Sequence, residues 1–224
     1  TLRRSHDKAK GQEAIEIVSA WAASQRLTLG QVKVAEGSNE ITAVPEVLDL
    51  LNVEGATVTV DALHCQKTTV AKIRQKKAEY VVALKKNQKH LHDAVKEYLT
   101  SVREGRTHGF AISTDQTVDK EHGRIEIRKY WQADAPDFLP EKELWQDLKS
   151  VGLVEATREI NGKATTEVRY YLSSLPVEAS TFGNAIRTHW GIENSCHWVL
   201  DVVFREDDCR IRVGNAAENM STLR

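Results

Sequence analysis

The residues from Ala56 to Gly105 constrain the fold more than any other stretch. ATVTVDA (56–62) is a short β-branched run of the buried type that ends on an acid, Asp61. KTTVAKIRQKKA follows with helical spacing, then the apolar AEYVVALKK, then NQKHLHDAVKEYLTSVREG with a longer helical pattern. Two strands that alternate with helices argue for an α/β sheet with parallel members, because a helix supplies the crossover a parallel pair needs. An acid at the carboxyl end of such a strand sits where open α/β sheets place their ligands. The same Asp61 also suits a residue that caps the following turn. His64 and Gln66 lie just beyond and would line the same edge.

Before this core, TLRRSHDKAKGQE is polar, basic and without period, so it reads as a loop. AIEIVSAWAAS and RLTLGQVKVAE read as two strands of one hairpin, turning at Ser24 and Gln25. SNEITAVPEVLDLLN predicts a helix capped by Ser38 or Asn39. From about His108 the texture changes. GRIEIRKYWQ, SVGLVEATREI and TTEVRYYLSSL are strand-like, with Asn161-Gly162 offering a tight turn between the last two and EKELWQDLKS a short helical piece among them. After Pro176 the pattern returns to helix and runs through RTHWGIENSCHWVLDVVFREDDCR, from Arg187 to Arg210. There His189, Glu193, His197 and Asp201 fall at i, i+4, i+8 and i+12, roughly one stripe, beside Ile186, Trp190, Val199 and Val203 as apolar surface for burial. A helix that delivers a carboxylate into a site has this pattern; so does a plain amphipathic helix.

The chain has 224 residues, 28% of them charged, and a formal net charge of -1, so no global basic field advertises nucleic acid. Locally the balance differs: between Gln66 and Lys96, nine Lys or Arg stand against two acids, Glu79 and Asp93. A basic face beside a carboxylate suits a phosphate backbone held while it is cut, and equally a pair of solvated helix faces. Trp131, Trp190 and Trp198 are candidates for stacking on bases or for the core. REDDCRIR (205–212) reads mainly as surface ion pairs, with Arg210 and Arg212 as candidate phosphate contacts. Cys65, Cys196 and Cys209 are odd in number and form no C-x-x-C pair, which argues against a disulfide framework or a zinc cluster and for a reducing cytoplasm. No apolar run approaches the length of a membrane span. The start at Thr1 without Met, and the end in NAAENMSTLR without a helix stop, read as cuts in a longer protein.

VTVDALHCQ, the strand pair around VSAWA and LGQVKVAEGSNEI, GRIEIRKYW and above all HWGIENSCHWVLDVVFREDDCRIR resemble insertion-sequence transposases of the DDE type, in the branch of the H-repeat-associated proteins. The resemblance covers essentially the whole chain. It implies an RNase H-like mixed sheet flanked by helices, with a β-rich insertion before the Glu-bearing helix. It implies three carboxylates holding two magnesium ions, manganese being able to substitute, for in-line cleavage and joining of DNA. Asp61 then matches the family's second Asp and Glu193 its Glu, both as catalytic and metal-binding residues. The family's first Asp belongs to an Asp-Gly-Lys-Thr-Leu-Arg segment, of which only Thr1-Leu2-Arg3 matches, so the first strand is expected to be largely missing; Asp7 is a poor substitute. Where relatives carry an Arg, this chain has His189, and where they carry a basic residue after the Glu it has Leu200 and Asp201.

The expectations are therefore these. Residues 1–105 form the first part of the core, 106–176 the β-rich insertion, and 177–224 the rest of the core. His64, Lys85, Lys86, His189 and Arg210 contact DNA, with His197 and Asp201 as more distant candidates. The parent protein is a transposase that acts on transposon ends and target DNA as a homo-oligomer, without a membrane, in the cytoplasm. This chain alone is expected to be inactive, the alternative being a non-catalytic remnant that binds DNA or a partner.

Overall fold

The computed structural model describes residues 2, 4–6, 13–35, 37–106, 109–121 and 123–223, the side chains of Glu121, Glu193 and Asn194 excepted. The chain divides into two compact units, one of residues 1–52 with 188–224 and one of residues 53–187.

The second unit carries a six-stranded mixed sheet in the order β3-β4-β8-β7-β6-β5. β3 (Thr57–Val60) pairs in parallel with β4 (Glu79–Leu84), and α2 (Lys67–Gln75) makes the crossover. The remaining neighbours are antiparallel: β5 (Ile112–Glu121), β6 (Arg124–Asp134), β7 (Ser150–Ile160) and β8 (Lys163–Ser173). This is a mixed α/β architecture consistent with the RNase H-like transposase fold. The β7–β8 turn is Asn161-Gly162 with φ of 50° and 73°, the left-handed pair a two-residue hairpin loop requires. β5 was not foreseen as a strand. Its sequence ISTDQTVDKE is mostly polar because it lies at the sheet edge, and only its pairing with β6 makes it extended. β3 is less buried than its composition predicts, since it forms the other edge. The helical piece expected around EKELWQDLKS shrinks to one 3-10 turn, Lys142–Leu144.

Helices cover both faces of the sheet. α3 (Lys89–Arg103) buries Leu91, Val95, Tyr98, Leu99 and Val102, one stripe at helical spacing. It covers the face of Glu155 and Tyr170: Arg103 bridges to Glu155 at 2.9 Å and the His92 ring meets Tyr170 edge-on. The opposite face receives the first part of α4 (Ala179–Ile192), whose Ala179, Phe182 and Ile186 pack with Val81, Tyr130, Val154, Tyr171 and Leu175. Here Gly152 is a necessity. A Cβ at that position would lie 2.1 Å from Phe182 Cζ, so the missing side chain is the slot the ring fills. The helix start is fixed by polar groups from the sheet. The fully buried Gln132 accepts from Glu178 N at 2.7 Å and donates to Pro176 O at 3.1 Å and Ser150 Oγ at 2.8 Å. Ser113 Oγ accepts from Ala179 N at 3.0 Å, so two amides that open the helix find side-chain partners.

The first unit holds the antiparallel pair β1 (Ile17–Ala22) and β2 (Leu27–Lys33) and the helix α1 (Glu40–Asp49). Asn39 caps α1 by accepting from Ile41 N and Thr42 N, which resolves the choice between Ser38 and Asn39. Beyond Ile192 the backbone widens into π-type turns over Glu193–His197 and Val199–Val203, breaks at Arg205 with φ of 52°, and resumes as α5 (Ala216–Leu223). The expected unbroken helix to Arg210 therefore ends at Val203. No helix among the described residues is long and apolar enough to cross a membrane.

Candidate nucleic-acid and metal site

Asp61 follows β3 at the carboxyl end of the parallel β3–β4 pair. Its side chain is 60% exposed, and Oδ1 accepts from Leu63 N at 3.1 Å and His64 N at 3.3 Å. The capping reading of Asp61 is thus realised, but on one oxygen only: Oδ2 has no hydrogen-bond partner among the described residues. The tight turn aims the carboxylate outward from the strand end.

His64 returns toward the same oxygen, with Nε2 4.0 Å from Asp61 Oδ1. Its ring is mostly buried and its Nδ1 has no partner, an orphan polar atom beside the carboxylate. The turn is tied to the segment after β4, because Asn87 Nδ2 donates to Ala62 O at 2.7 Å and Gln88 Nε2 to Cys65 O at 3.1 Å. Those bonds hold Lys85 and Lys86, the residues just before, at the same sheet end as Asp61. Cys65, fully buried within the turn, has its thiol pushed up to about 12 by burial, so it is a packing group and not a nucleophile.

The basic excess between Gln66 and Lys96 splits in two. Lys67 pairs with Glu141, Arg74 with Glu79 and Asp147 at 2.8 Å each, and Lys77 with Glu54 at 3.1 Å. Lys85, Lys86 and Lys89 are exposed and have no acidic partner within ion-pair distance among the described residues. Lys96, exposed on α3, is likewise without an acidic partner among the described residues, while Lys85 and Lys86 are the two set at the Asp61 end of the sheet.

In the other unit, Glu193 opens the first π-type turn, and its side chain lies outside the described residues, as does all of Asp7. His189 sits on the last turn of α4 with its ring 5.5 Å from that of Trp190, edge-on. The single stripe of His189, Glu193, His197 and Asp201 does not persist. A π-type turn advances by more residues than an α turn, so positions four apart rotate out of line, and His197 and Asp201 are both exposed. The apolar companions are also corrected. Ile186 is buried, but Trp190 is 43% and Val203 61% exposed. REDDCRIR forms surface ion pairs, Asp208 taking Arg205 at 3.2 Å and Arg4 at 3.1 Å, while Arg212 donates to Arg4 O. Arg210 is exposed.

Among the described residues, no group of three or more His, Cys, Asp or Glu is placed to hold a metal ion. Asp61 nevertheless suits a hard divalent cation in kind. It offers an unengaged carboxylate oxygen at an exposed strand end, and magnesium needs only one or two carboxylates when waters and phosphates complete its shell.

A model of the transposase DDE domain matches residues 1–224. The chain is 42% identical over 231 residues to the "H repeat-associated putative transposase YhhI" of Escherichia coli K12, and 41% identical over 231 residues to the "Putative protein YbfL" of the same strain. It is 41% identical over 228 residues to the "Putative transposase YncI" of Escherichia coli O157:H7. All of the chain is covered in each case, against 60%, 60% and 58% of those proteins, so the chain spans about 60% of the length of these relatives. With a domain match along its full length and relatives above 40% identity, the chain belongs to the DDE transposase family.

Proposed function

We propose that the parent protein cuts DNA at the ends of its own element and joins those ends to a target, with Asp61 and Glu193 as two of its metal-binding carboxylates. The observation that carries the proposal is Asp61, an exposed carboxylate at the end of a parallel strand, with Lys85 and Lys86 at the same sheet end and, like its Oδ2, without a partner among the described residues. Residues 1–105 and 177–224 serve as catalytic core and 106–176 as insertion. A third carboxylate, as the DDE family implies, belongs to the parent protein, whose relatives are longer than this chain.

Magnesium bound there would stabilise negative charge on the attacking and leaving oxygens of the phosphodiester. The chain's own residues do the rest. The Asp61 turn, fixed by two backbone amides, holds one carboxylate oxygen in place and presents the other. Lys85 and Lys86 bind the phosphate flanking the scissile bond as point charges. His64 lies against the carboxylate, its ring beside the site where the phosphate would bind. His189 and Arg210 are further DNA contacts. The complete protein acts in the cytoplasm as a homo-oligomer on paired ends.

Bonding of Asp61 to its own turn favours a second reading, a remnant that binds DNA without cutting it. One experiment separates the two. The chain and a form extended upstream to include the third carboxylate are assayed for magnesium-dependent cleavage and joining of DNA bearing the element's ends, with Asp61→Ala and Glu193→Ala beside them. Activity in the extended form alone, lost in both variants, supports the transposase reading. A folded extended form with no activity supports the remnant, and cleavage that survives Glu193→Ala removes Glu193 from the site.

A further inference from the structure

Glu126 stands in the middle of β6 with its side chain only 9% exposed, and three guanidinium groups close on it. Arg128 Nη2 lies 2.7 Å from Oε1, Arg158 Nη2 3.6 Å from the same oxygen, and Arg124 Nη2 3.8 Å from Oε2. Arg128 also donates Nη1 to Asp119 Oδ2 at 2.6 Å, and Arg187 on α4 donates to that oxygen at 2.6 Å. The sheet register makes the cluster. Glu126 is the direct partner of Asp119 on β5 and of Arg158 on β7, so these side chains rise from one face, where α4 delivers Arg187.

Among the described side chains, four guanidinium groups gather on the carboxylates of Glu126 and Asp119, and Arg169 pairs with Glu167 nearby. The geometry also sorts them by depth: Glu126 is sunk, while Arg124 is 44%, Arg158 50% and Arg187 39% exposed. Cations held on a buried carboxylate and turned to solvent form a pre-ordered surface for an external anion.

The face is continuous with the Asp61 end of the sheet. Leu84 pairs with Tyr170, so the next step along the register sets Lys85 beside Arg169. The Glu167 carboxyl, held low by its hydrogen bonds to Arg169, also feels both Lys85 and Arg158. Cations therefore run from Lys85 through Arg169 and Arg158 to Arg128, Arg124 and Arg187.

We infer that this face of β5–β8 binds the phosphate backbone of duplex DNA, with Arg124 and Arg158 as direct phosphate contacts and Glu126 and Asp119 as their positioning groups. The inference rests on the transposase reading for the identity of the anion, and it makes the sheet the track that leads DNA to Asp61.

The test is DNA binding by the full chain, followed by fluorescence anisotropy on a labelled duplex across a series of salt concentrations. Three proteins are compared: the parent, Arg124→Gln with Arg158→Gln, and Lys96→Gln, an exposed neutralisation on α3, which covers the opposite face. Each lost phosphate contact flattens the plot of log affinity against log salt by about 0.9, so the double variant should lose between about 1 and 2 in slope while Lys96→Gln keeps the parent's slope. Arg124→Lys with Arg158→Lys, which retains the charges, should restore most of the slope, and melting curves confirm that each protein is folded. Equal slopes in the parent and the double variant would overturn the inference and leave the cluster an internal ion-pair network. An equal loss in Lys96→Gln would also overturn it, because the attraction would then belong to no face. A parent that binds no DNA at low salt sinks this inference together with the DNA reading of Asp61, whereas binding without cleavage in the extended form sinks only the catalytic proposal.

Discussion

Two consecutive stretches of the chain have similar amphipathic patterns and different fates. From Ala179 to Ile186 the apolar residues meet a prepared surface: Phe182 enters the slot over Gly152, Gly183 lets the helix approach Tyr130, and Gln132 and Ser113 receive the opening amides. From Trp190 to Phe204 the large side chains are just as plentiful, yet Trp190, Trp198, Val202, Val203 and Phe204 are all more than 40% exposed and the helix relaxes to π-type turns. Periodicity made both stretches helical. Only a complementary sheet face made one of them a tight α-helix, because burial supplies most of a helix's stability in a protein.

Substitutions should divide along the same line. Phe182→Ala is expected to have the largest effect, about 3–5 kcal/mol of lost stability in urea unfolding, since it empties the slot under α4. Gly152→Ala attacks the slot from the other side. With Phe182 atoms between 2.1 and 2.7 Å from the added carbon, it should cost about 1–3 kcal/mol, and pairing it with Phe182→Leu should recover part of that loss. Gln132→Leu keeps the volume but strands the Glu178 amide and the Pro176 carbonyl, at roughly 1–3 kcal/mol. If Gln132→Leu proved neutral, packing alone would be directing α4 and the polar anchor would be incidental.

Smaller effects complete the contrast. Hydrogen bonds from Arg187 and then Arg128 hold the Asp119 carboxyl below the usual carboxylate range. Because the folded value is depressed, its stabilising contribution is present above the unfolded value of about 4 and disappears as pH falls through the folded value. Asp119→Asn should therefore lower the melting temperature at neutral pH and converge with the parent in strong acid; a constant gap would assign the effect to packing. Trp198→Ala, in the slack stretch, should change stability by no more than about 0.5 kcal/mol. A loss comparable with that of Phe182→Ala would mean that the two stretches are not different after all.

Much of the fold could be read from local signals. The cap at Asn39, the turn at Asn161-Gly162, the alternation from β3 to α3 and the strand limits of β7 each follow from chemistry within a few residues. β5 could not, because its polar residues become a strand only by pairing with β6, and the buried Gln132 reads as an ordinary surface residue until α4 needs its carbonyl. Of the candidate site residues, Asp61 had its place at a strand end legible in the sequence, and its bonds to Leu63 and His64 N–H are the local chemistry of the turn that follows. The separation of Lys85 and Lys86 from their neutralised neighbours was not legible, since Lys67 is paired by Glu141 and Arg74, besides the nearby Glu79, by Asp147.

By itself, then, the sequence determined what short range controls: periodicity, caps, turns, the order of elements and, through its ordered motifs, the transposase family. The tertiary structure alone decided which cations stay unpaired, where the stripe beyond His189 loses its phase, and how four arginines meet on Glu126 and Asp119. Those outcomes depend on strand register and on which face a helix covers, and both are settled by partners distant in the chain.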